Sequence, residues 1–175
     1  MEFLSVNDYV DAYAMYQGEV PFENFVRHVR ENGRWDCGAS IPGMAYLNPN
    51  SELTFEELSN KAKKLSLPSP YLSGMLDEFL GGDLIPLLET NRGCPYKCTF
   101  CTWGISAMDR VAYHELDKVY KEFNYVADHS PNSKLWILAD ANFGIVKRDI
   151  EIADRIGEIK RQNSALQKII LWDAK

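Results

Sequence analysis

The chain is short of basic charge relative to acidic and of long apolar runs, and each shortage excludes a class of protein. Its 19 lysines and arginines are outnumbered by 25 aspartates and glutamates, for a formal net charge of -6. A broad surface for nucleic-acid phosphates needs the opposite balance. No apolar stretch reaches the roughly 20 residues that a membrane helix requires, so no membrane partner is expected. The opening Met1-Glu-Phe-Leu-Ser-Val-Asn-Asp8 is acidic and lacks the apolar centre of a secretory signal. The expected setting is therefore the cytoplasm. In that reducing compartment the four cysteines are expected as ligands rather than disulfide partners. Disorder is excluded as well: 46% of the residues are hydrophobic and 12% aromatic, enough to build a core. A length of 175 residues suits one domain or the joined parts of two.

Periodicity and punctuation predict an α/β order. Residues 9–16 read as a strand, Gln17-Gly18-Glu19 as a turn, and 21–32 as a helix with Phe22, Phe25, Val26 and Val29 at helical spacing. From Gly33 to Gly82 the pattern loosens into a linker. Within it, 41–46 reads as a small strand and Thr54-Phe-Glu-Glu57 as a capping box, and Pro68 and Pro70 bracket an extended stretch ending at Tyr71. From Asp83 onward the pattern tightens. Leu84-Ile-Pro-Leu-Leu-Glu89 is a strand despite Pro86. A helix is predicted over 113–128, with Leu116, Val119, Tyr120, Phe123 and Val126 on one face. Leu135-Trp-Ile-Leu-Ala139 reads as a parallel strand buried on both faces. A second helix is predicted over 149–162 with Asp149 as its N-cap, then another buried strand, Ile169-Ile-Leu-Trp172. Strand, helix, strand, helix, strand predicts parallel strands with right-handed crossovers. A closed (βα)8 barrel takes roughly 250 residues. The expectation is a partial βα barrel over 83–175, cut at its C-terminal side, with the strand–helix piece of 1–35 and a linker of 36–82 before it. The alternative is a small complete α/β domain.

What the chain does have is three cysteines within eight positions. Cys94, Cys98 and Cys101 are spaced C-x3-C-x2-C, and Cys37 stands apart. Thiolates are the usual protein ligands of iron–sulfur clusters, and a cubane normally takes four. Three closely spaced ligands leave one iron open, as a catalytic zinc site leaves a coordination position open. Gly93 permits a tight approach before the first ligand, and Pro95 stiffens the loop after it. Other readings compete. Structural zinc wants four ligands, and no second Cys/His pair is in sight; His114-Glu-Leu-Asp-Lys118 lacks the second histidine of a zinc-protease helix. A thioredoxin-like Cys98-x-x-Cys101 pair leaves Cys94 unexplained. An electron-transfer ferredoxin wants tighter spacing and a fourth cysteine followed by proline. Cys37 reads as a buried inert thiol, with a distant fourth ligand as the alternative.

The segment Arg92-Gly-Cys-Pro-Tyr-Lys-Cys-Thr-Phe-Cys101, with an aromatic before the third cysteine and a strand before the motif, resembles the radical S-adenosylmethionine (radical SAM) superfamily. The resemblance implies a [4Fe–4S] cluster on Cys94, Cys98 and Cys101 whose open iron binds the amino and carboxylate groups of S-adenosylmethionine. It implies one-electron reductive cleavage to methionine and a 5′-deoxyadenosyl radical that takes hydrogen from a small-molecule substrate. A reductant such as flavodoxin or ferredoxin is the implied partner. Phe100 is implied to pack near the adenine. Ala139-Asp-Ala-Asn-Phe-Gly144 occupies the place where the superfamily often carries a Gly-Gly-Glu motif for the cofactor's amino group. That motif is missing, and Asp140 and Asn142 are its local substitutes. Asp, Asn and Gly also favour turns for backbone reasons, so both readings stand. Trp172-Asp173 is a weaker candidate for the same end of the sheet. Upstream, Tyr13-Ala-Met-Tyr-Gln-Gly-Glu19 and Leu67-Pro-Ser-Pro-Tyr71 resemble the junction of cobalamin-binding radical SAM proteins, where a Rossmann-like domain runs into the barrel. Cobalamin is thus expected, if used, in the full-length protein. A non-catalytic metal-binding module, holding zinc or a structural cluster, is the alternative function.

Overall fold

The computed structural model describes residues 2–58, 65–101 and 111–171. The chain divides into two compact units, Met1–Lys61 and Ala62–Lys175.

In the first unit, a short helix α1 (Glu2–Val6) precedes strand β1 (Tyr13–Ala14) and helix α2 (Glu19–Asn32). Gly33, at φ 72°, takes the left-handed conformation that ends α2. Strands β2 (Met44–Leu47) and β3 (Leu53–Phe55) follow, giving an antiparallel sheet in the order β1-β2-β3. The expected strand over 9–16 shrinks to two residues. The stretch expected as a linker supplies β2, which pairs with β1 and overlaps the small strand expected over 41–46, and β3, which pairs with β2. The capping box at Thr54 does not form, because Thr54 lies in β3 opposite Tyr46. A hairpin explains the outcome. The Asn48 side chain accepts hydrogen bonds from the backbone N–H groups of Asn50 and Glu52, both at 2.9 Å, and folds β3 back on β2. Ile41, Met44 and Tyr46 form the small core, with Phe25, Trp35 and Cys37 packed against it.

In the second unit, helix α3 (Asp77–Leu80) leads to strand β4 (Leu87–Leu88). A two-stranded hairpin, β5 (Asn91–Arg92) with β6 (Ala112–Tyr113), follows immediately. Helix α4 (Leu116–His129), strand β7 (Leu135–Leu138), helix α5 (Arg148–Gln162) and strand β8 (Lys168–Leu171) complete the described residues. The sheet β4-β7-β8 is parallel throughout, as the alternating order predicted. The local differences have physical causes. Strand β4 is short because Pro86 has no N–H to donate, although its carbonyl accepts from Ile137 at 3.0 Å. Helix α4 begins at Leu116 rather than 113, because Ala112 and Tyr113 are engaged with β5. Asp149 lies inside the first turn of α5 rather than capping it. Its Oδ2 accepts from the backbone of Gly144 at 2.8 Å and Val146 at 3.3 Å, which folds the turn leading into the helix.

Helices α4 and α5 cover one face of this sheet. Val119, Phe123 and Val126 from α4 and Ile152, Ile156 and Ile159 from α5 share a core with Trp136 and Leu138 of β7. The alternate residues Leu135 and Ile137 are only half-buried, so β7 is not enclosed on both faces as expected. Strand β8 is mostly exposed, and among the described residues it pairs with β7 alone.

Two hydrogen bonds seal the other edge of the sheet. The backbone groups of Leu87 point away from β7. Its carbonyl accepts from the Tyr71 hydroxyl at 2.7 Å, and its N–H donates to the same oxygen at 3.1 Å. One phenol thus replaces a neighbouring strand. This accounts for the Pro-Ser-Pro-Tyr stretch, which ends on a buried tyrosine at the sheet edge.

Candidate metal and cofactor site

Strand β4 ends at Leu88, and the chain reaches the first cysteine six residues later through Glu89, Thr90 and β5. The three thiols are not joined in disulfides. Cys94 is buried, whereas Cys98 and Cys101 are half-buried. Gly93 has φ 107°, a conformation that suits glycine, and it turns the chain into the loop. The Cys101 N–H donates to the Cys98 carbonyl at 3.1 Å, which makes a tight turn of the last two ligands. The donor chemistry fits an iron–sulfur cluster: three reduced thiols on one loop, one of them shielded from water. Among the described residues no three His, Cys, Asp or Glu side chains converge as they would around a single metal ion. Cys37, expected to be buried, is half-buried and packs against the first unit's core.

The root of the loop is fixed from the next strand. Asp140 follows β7 and is fully buried. Its Oδ1 accepts from the backbone N–H of Thr90 at 2.7 Å and of Asn91 at 3.2 Å. Its Oδ2 accepts from the Thr90 hydroxyl and, at 2.8 Å, from Asn91 Nδ2. Four donors from two residues occupy the acceptor positions of the carboxylate. Burial pushes the Asp140 carboxyl above its usual range, against the pull of the hydrogen bonds from Thr90 and Asn91. The two constellations expected to be neighbours are therefore joined directly, at the carboxyl ends of parallel strands. That is where α/β folds place their ligands.

Asn142 differs from Asp140. It is 2% exposed, and both its Oδ1 and its Nδ2 lack a hydrogen-bond partner among the described residues. A buried amide with no partner is costly, and it fits a position that a polar ligand completes. Phe100 is 90% exposed on the cysteine loop. Trp172 and Asp173 lie outside the described residues.

A charged network at the loop's base was not read from the sequence. Arg92 grips Glu89 through Nε and Nη2 at 2.8 and 2.7 Å. His114, buried on the far side of the hairpin, lies 3.5 Å from Glu89 Oε2. Lys118 Nζ meets His114 Nδ1 at 3.2 Å and donates to the Leu67 carbonyl at 2.8 Å. An ammonium on Nδ1 requires that nitrogen to accept, which leaves the histidine proton on Nε2, facing Glu89. Burial works to raise the Glu89 carboxyl, but hydrogen bonds from His114 and Arg92 outweigh it and hold the group at about 2. Residues 89, 92 and 114 clamp both ends of the cysteine loop. The signal in the sequence was weak: His114 and Lys118 at helical spacing, with Glu89 and Arg92 at the loop's start.

Over nearly its whole length the chain is similar in sequence to cobalamin-dependent radical SAM methyltransferases. It is 31% identical, over 179 residues covering 99% of its length, to the cobalamin-dependent radical SAM methyltransferase TokK of Streptomyces tokunonensis. It spans 26% of that relative. In fold it is similar to the cobalamin-dependent S-adenosylmethionine radical enzyme OxsB, solved with aqua-cobalamin and S-adenosylmethionine bound. The TM-score is 0.60 at 20% identity, over 90% of this chain and 22% of that one. The radical S-adenosylmethionine methyltransferase TsrM of Kitasatospora setae, solved with cobalamin and a [4Fe–4S] cluster bound, has a TM-score of 0.54 at 16% identity. That likeness covers 93% of this chain and 32% of the other. The chain matches no protein-family model. The resemblance drawn from the cysteine motif and the Pro-Ser-Pro-Tyr stretch is thus borne out. No helix among the described residues is long and apolar enough to cross a membrane.

Proposed function

We propose that this chain carries the cluster loop and part of the S-adenosylmethionine site of a cobalamin-dependent radical SAM enzyme, and that methyl transfer is the reaction served. The observation that carries the reading is the C-x3-C-x2-C loop tied by Asp140 to the end of the next parallel strand. Cys94, Cys98 and Cys101 hold a [4Fe–4S] cluster. When bound, the cluster and S-adenosylmethionine supply one-electron cleavage to methionine and a 5′-deoxyadenosyl radical. The chain's own residues bind and position. Asp140 fixes the loop's root, Asn142 offers an unpaired amide to the amino acid end of the cofactor, and Phe100 offers an aromatic face to the adenine. The relatives' names support methyl transfer.

The parallel order β4-β7-β8, with a helix between successive strands, supports the reading of the second unit as the first part of a βα barrel. On this reading the first unit is the end of a cobalamin-binding, Rossmann-like domain. The protein works in the cytoplasm on a small molecule, with a flavodoxin or ferredoxin as electron donor. The test is anaerobic reconstitution with iron and sulfide, followed by S-adenosylmethionine and dithionite. Methionine and 5′-deoxyadenosine formed only with reductant and only with all three cysteines support the reading. A colourless protein carrying one zinc per chain overturns it in favour of a zinc module.

A further inference from the structure

One charged group at the cysteine-loop end of the second unit stands outside the hydrogen-bond network. Arg148 opens α5, and its guanidinium carbon lies 5.1 Å from the centroid of the Tyr113 ring. Tyr113 in turn pairs with Asn91 at the root of the loop. The Nε and Nη2 atoms of Arg148 are buried and have no hydrogen-bond partner among the described residues. These two nitrogens form one edge of the guanidinium, the fork that grips both oxygens of a carboxylate. Arg92 uses that same edge on Glu89. Arg148 makes no such pair with its neighbour Asp149, whose Oδ2 is tied to Gly144 and Val146 and whose Oδ1 is itself buried without a partner.

Arg148 as a whole is half-buried, but leaving the two buried nitrogens of its fork unpaired is costly, and stacking on one tyrosine recovers only part of the cost. Other polar atoms of the same unit are orphaned too. Asn142 Oδ1 and Nδ2 and Asn91 Oδ1 are buried and unpartnered, and Asn91 belongs to the same loop root. Such a set, a fork with amide donors and acceptors, suits a zwitterion with one carboxylate. A phosphate dianion is disfavoured by Asp140 and Asp149, both buried among the same elements.

We propose that Arg148, held against Tyr113, is a carboxylate receptor, and that it takes the carboxylate of S-adenosylmethionine. The identity of the ligand rests on the function proposed above; the receptor chemistry does not. The test is calorimetric titration of the cluster-free 175-residue chain with S-adenosylmethionine and with its decarboxylated analogue. Thermal shift with acetate against chloride at equal ionic strength forms a third arm. Arg148→Gln weakens S-adenosylmethionine binding roughly tenfold to a hundredfold, the range of a charge-assisted bond. Arg148→Lys, which keeps the charge and loses the fork, falls between. The decarboxylated analogue binds wild type and Arg148→Gln alike. Without ligand, Arg148→Gln unfolds no earlier than wild type, since it removes two buried nitrogens that have no partner among the described residues. Earlier unfolding identifies a structural arginine and overturns the inference. So does S-adenosylmethionine binding that is equal in wild type and Arg148→Gln, or wild type that fails to distinguish the two adenosyl compounds in any arm. An Arg148-dependent shift with acetate alone keeps the receptor and overturns S-adenosylmethionine as its ligand. Cluster assembly is measured separately and does not involve Arg148. Failure to assemble, beside Arg148-dependent binding, sinks the proposed function and leaves this inference standing.

Discussion

Two acidic residues with opposite behaviour organise the cysteine loop. Asp140 is held by four donors, so Asp140→Ala strands two backbone N–H groups, the Thr90 hydroxyl and the Asn91 amide in a buried position. A loss of roughly 3–5 kcal/mol is expected, read as a lower urea midpoint with little change in slope. A loss below about 1 kcal/mol would mean that water takes over those donors. Glu89 contributes through pH. Its folded value of about 2 lies below the ordinary 4.5. Its contribution is therefore complete above pH 4.5 and fades as the pH falls through 2. Glu89→Gln is expected to cost roughly 2–3 kcal/mol at neutral pH, with the gap to wild type closing at the acid end. A gap that stays constant with pH would place the effect in packing instead. The sequence marked Asp140 as a site residue but not what it holds. A buried carboxylate needs donors, and Thr90-Asn91 lie 50 and 49 residues away in the chain, a distance no local pattern spans.

Elements were legible where one period dominated and illegible where tertiary pairing overrode a local signal. Helices α4 and α5 and strand β7 appear close to where their apolar spacing put them, because each buries a continuous stripe in one core. Thr54 shows the opposite case: a good capping sequence became a strand because β2 lay ready to pair with it. Tyr71 was read as the end of an extended stretch and as part of the Pro-Ser-Pro-Tyr resemblance, not as a partner of the sheet. Its role depends on Leu87, sixteen residues on, whose backbone groups it satisfies at the exposed edge of β4. Tyr71→Phe removes only the hydroxyl, and about 1–3 kcal/mol is expected to go with it. The more specific readout is amide hydrogen exchange, in which Leu87 speeds up more than its neighbours. Uniform acceleration across the sheet would show general loosening rather than an opened edge.

At the scale of the second unit, one edge of the parallel sheet is sealed by Tyr71, and the other carries no further strand among the described residues. Among the described residues strand β8 pairs with β7 alone, and Ile170 and Leu171 are each 41% exposed. Open apolar edges invite pairing with another chain. The isolated chain is expected to self-associate with rising concentration, and Ile170→Lys to shift it toward monomer in sedimentation velocity. Unaltered association in that variant would move the contact elsewhere. The parallel order of the second unit was readable from alternating strands and helices. The antiparallel sheet of the first unit was not, since its strands are only two to four residues long and separated by irregular chain. Site and fold meet in the cysteine loop, and one measurement addresses it most directly. Iron and acid-labile sulfide are counted per chain after anaerobic reconstitution of wild type and Cys98→Ala. About four of each in wild type, with loss of the cluster in the variant, is the predicted result. A full cluster in Cys98→Ala, or no sulfide in wild type, would contradict it.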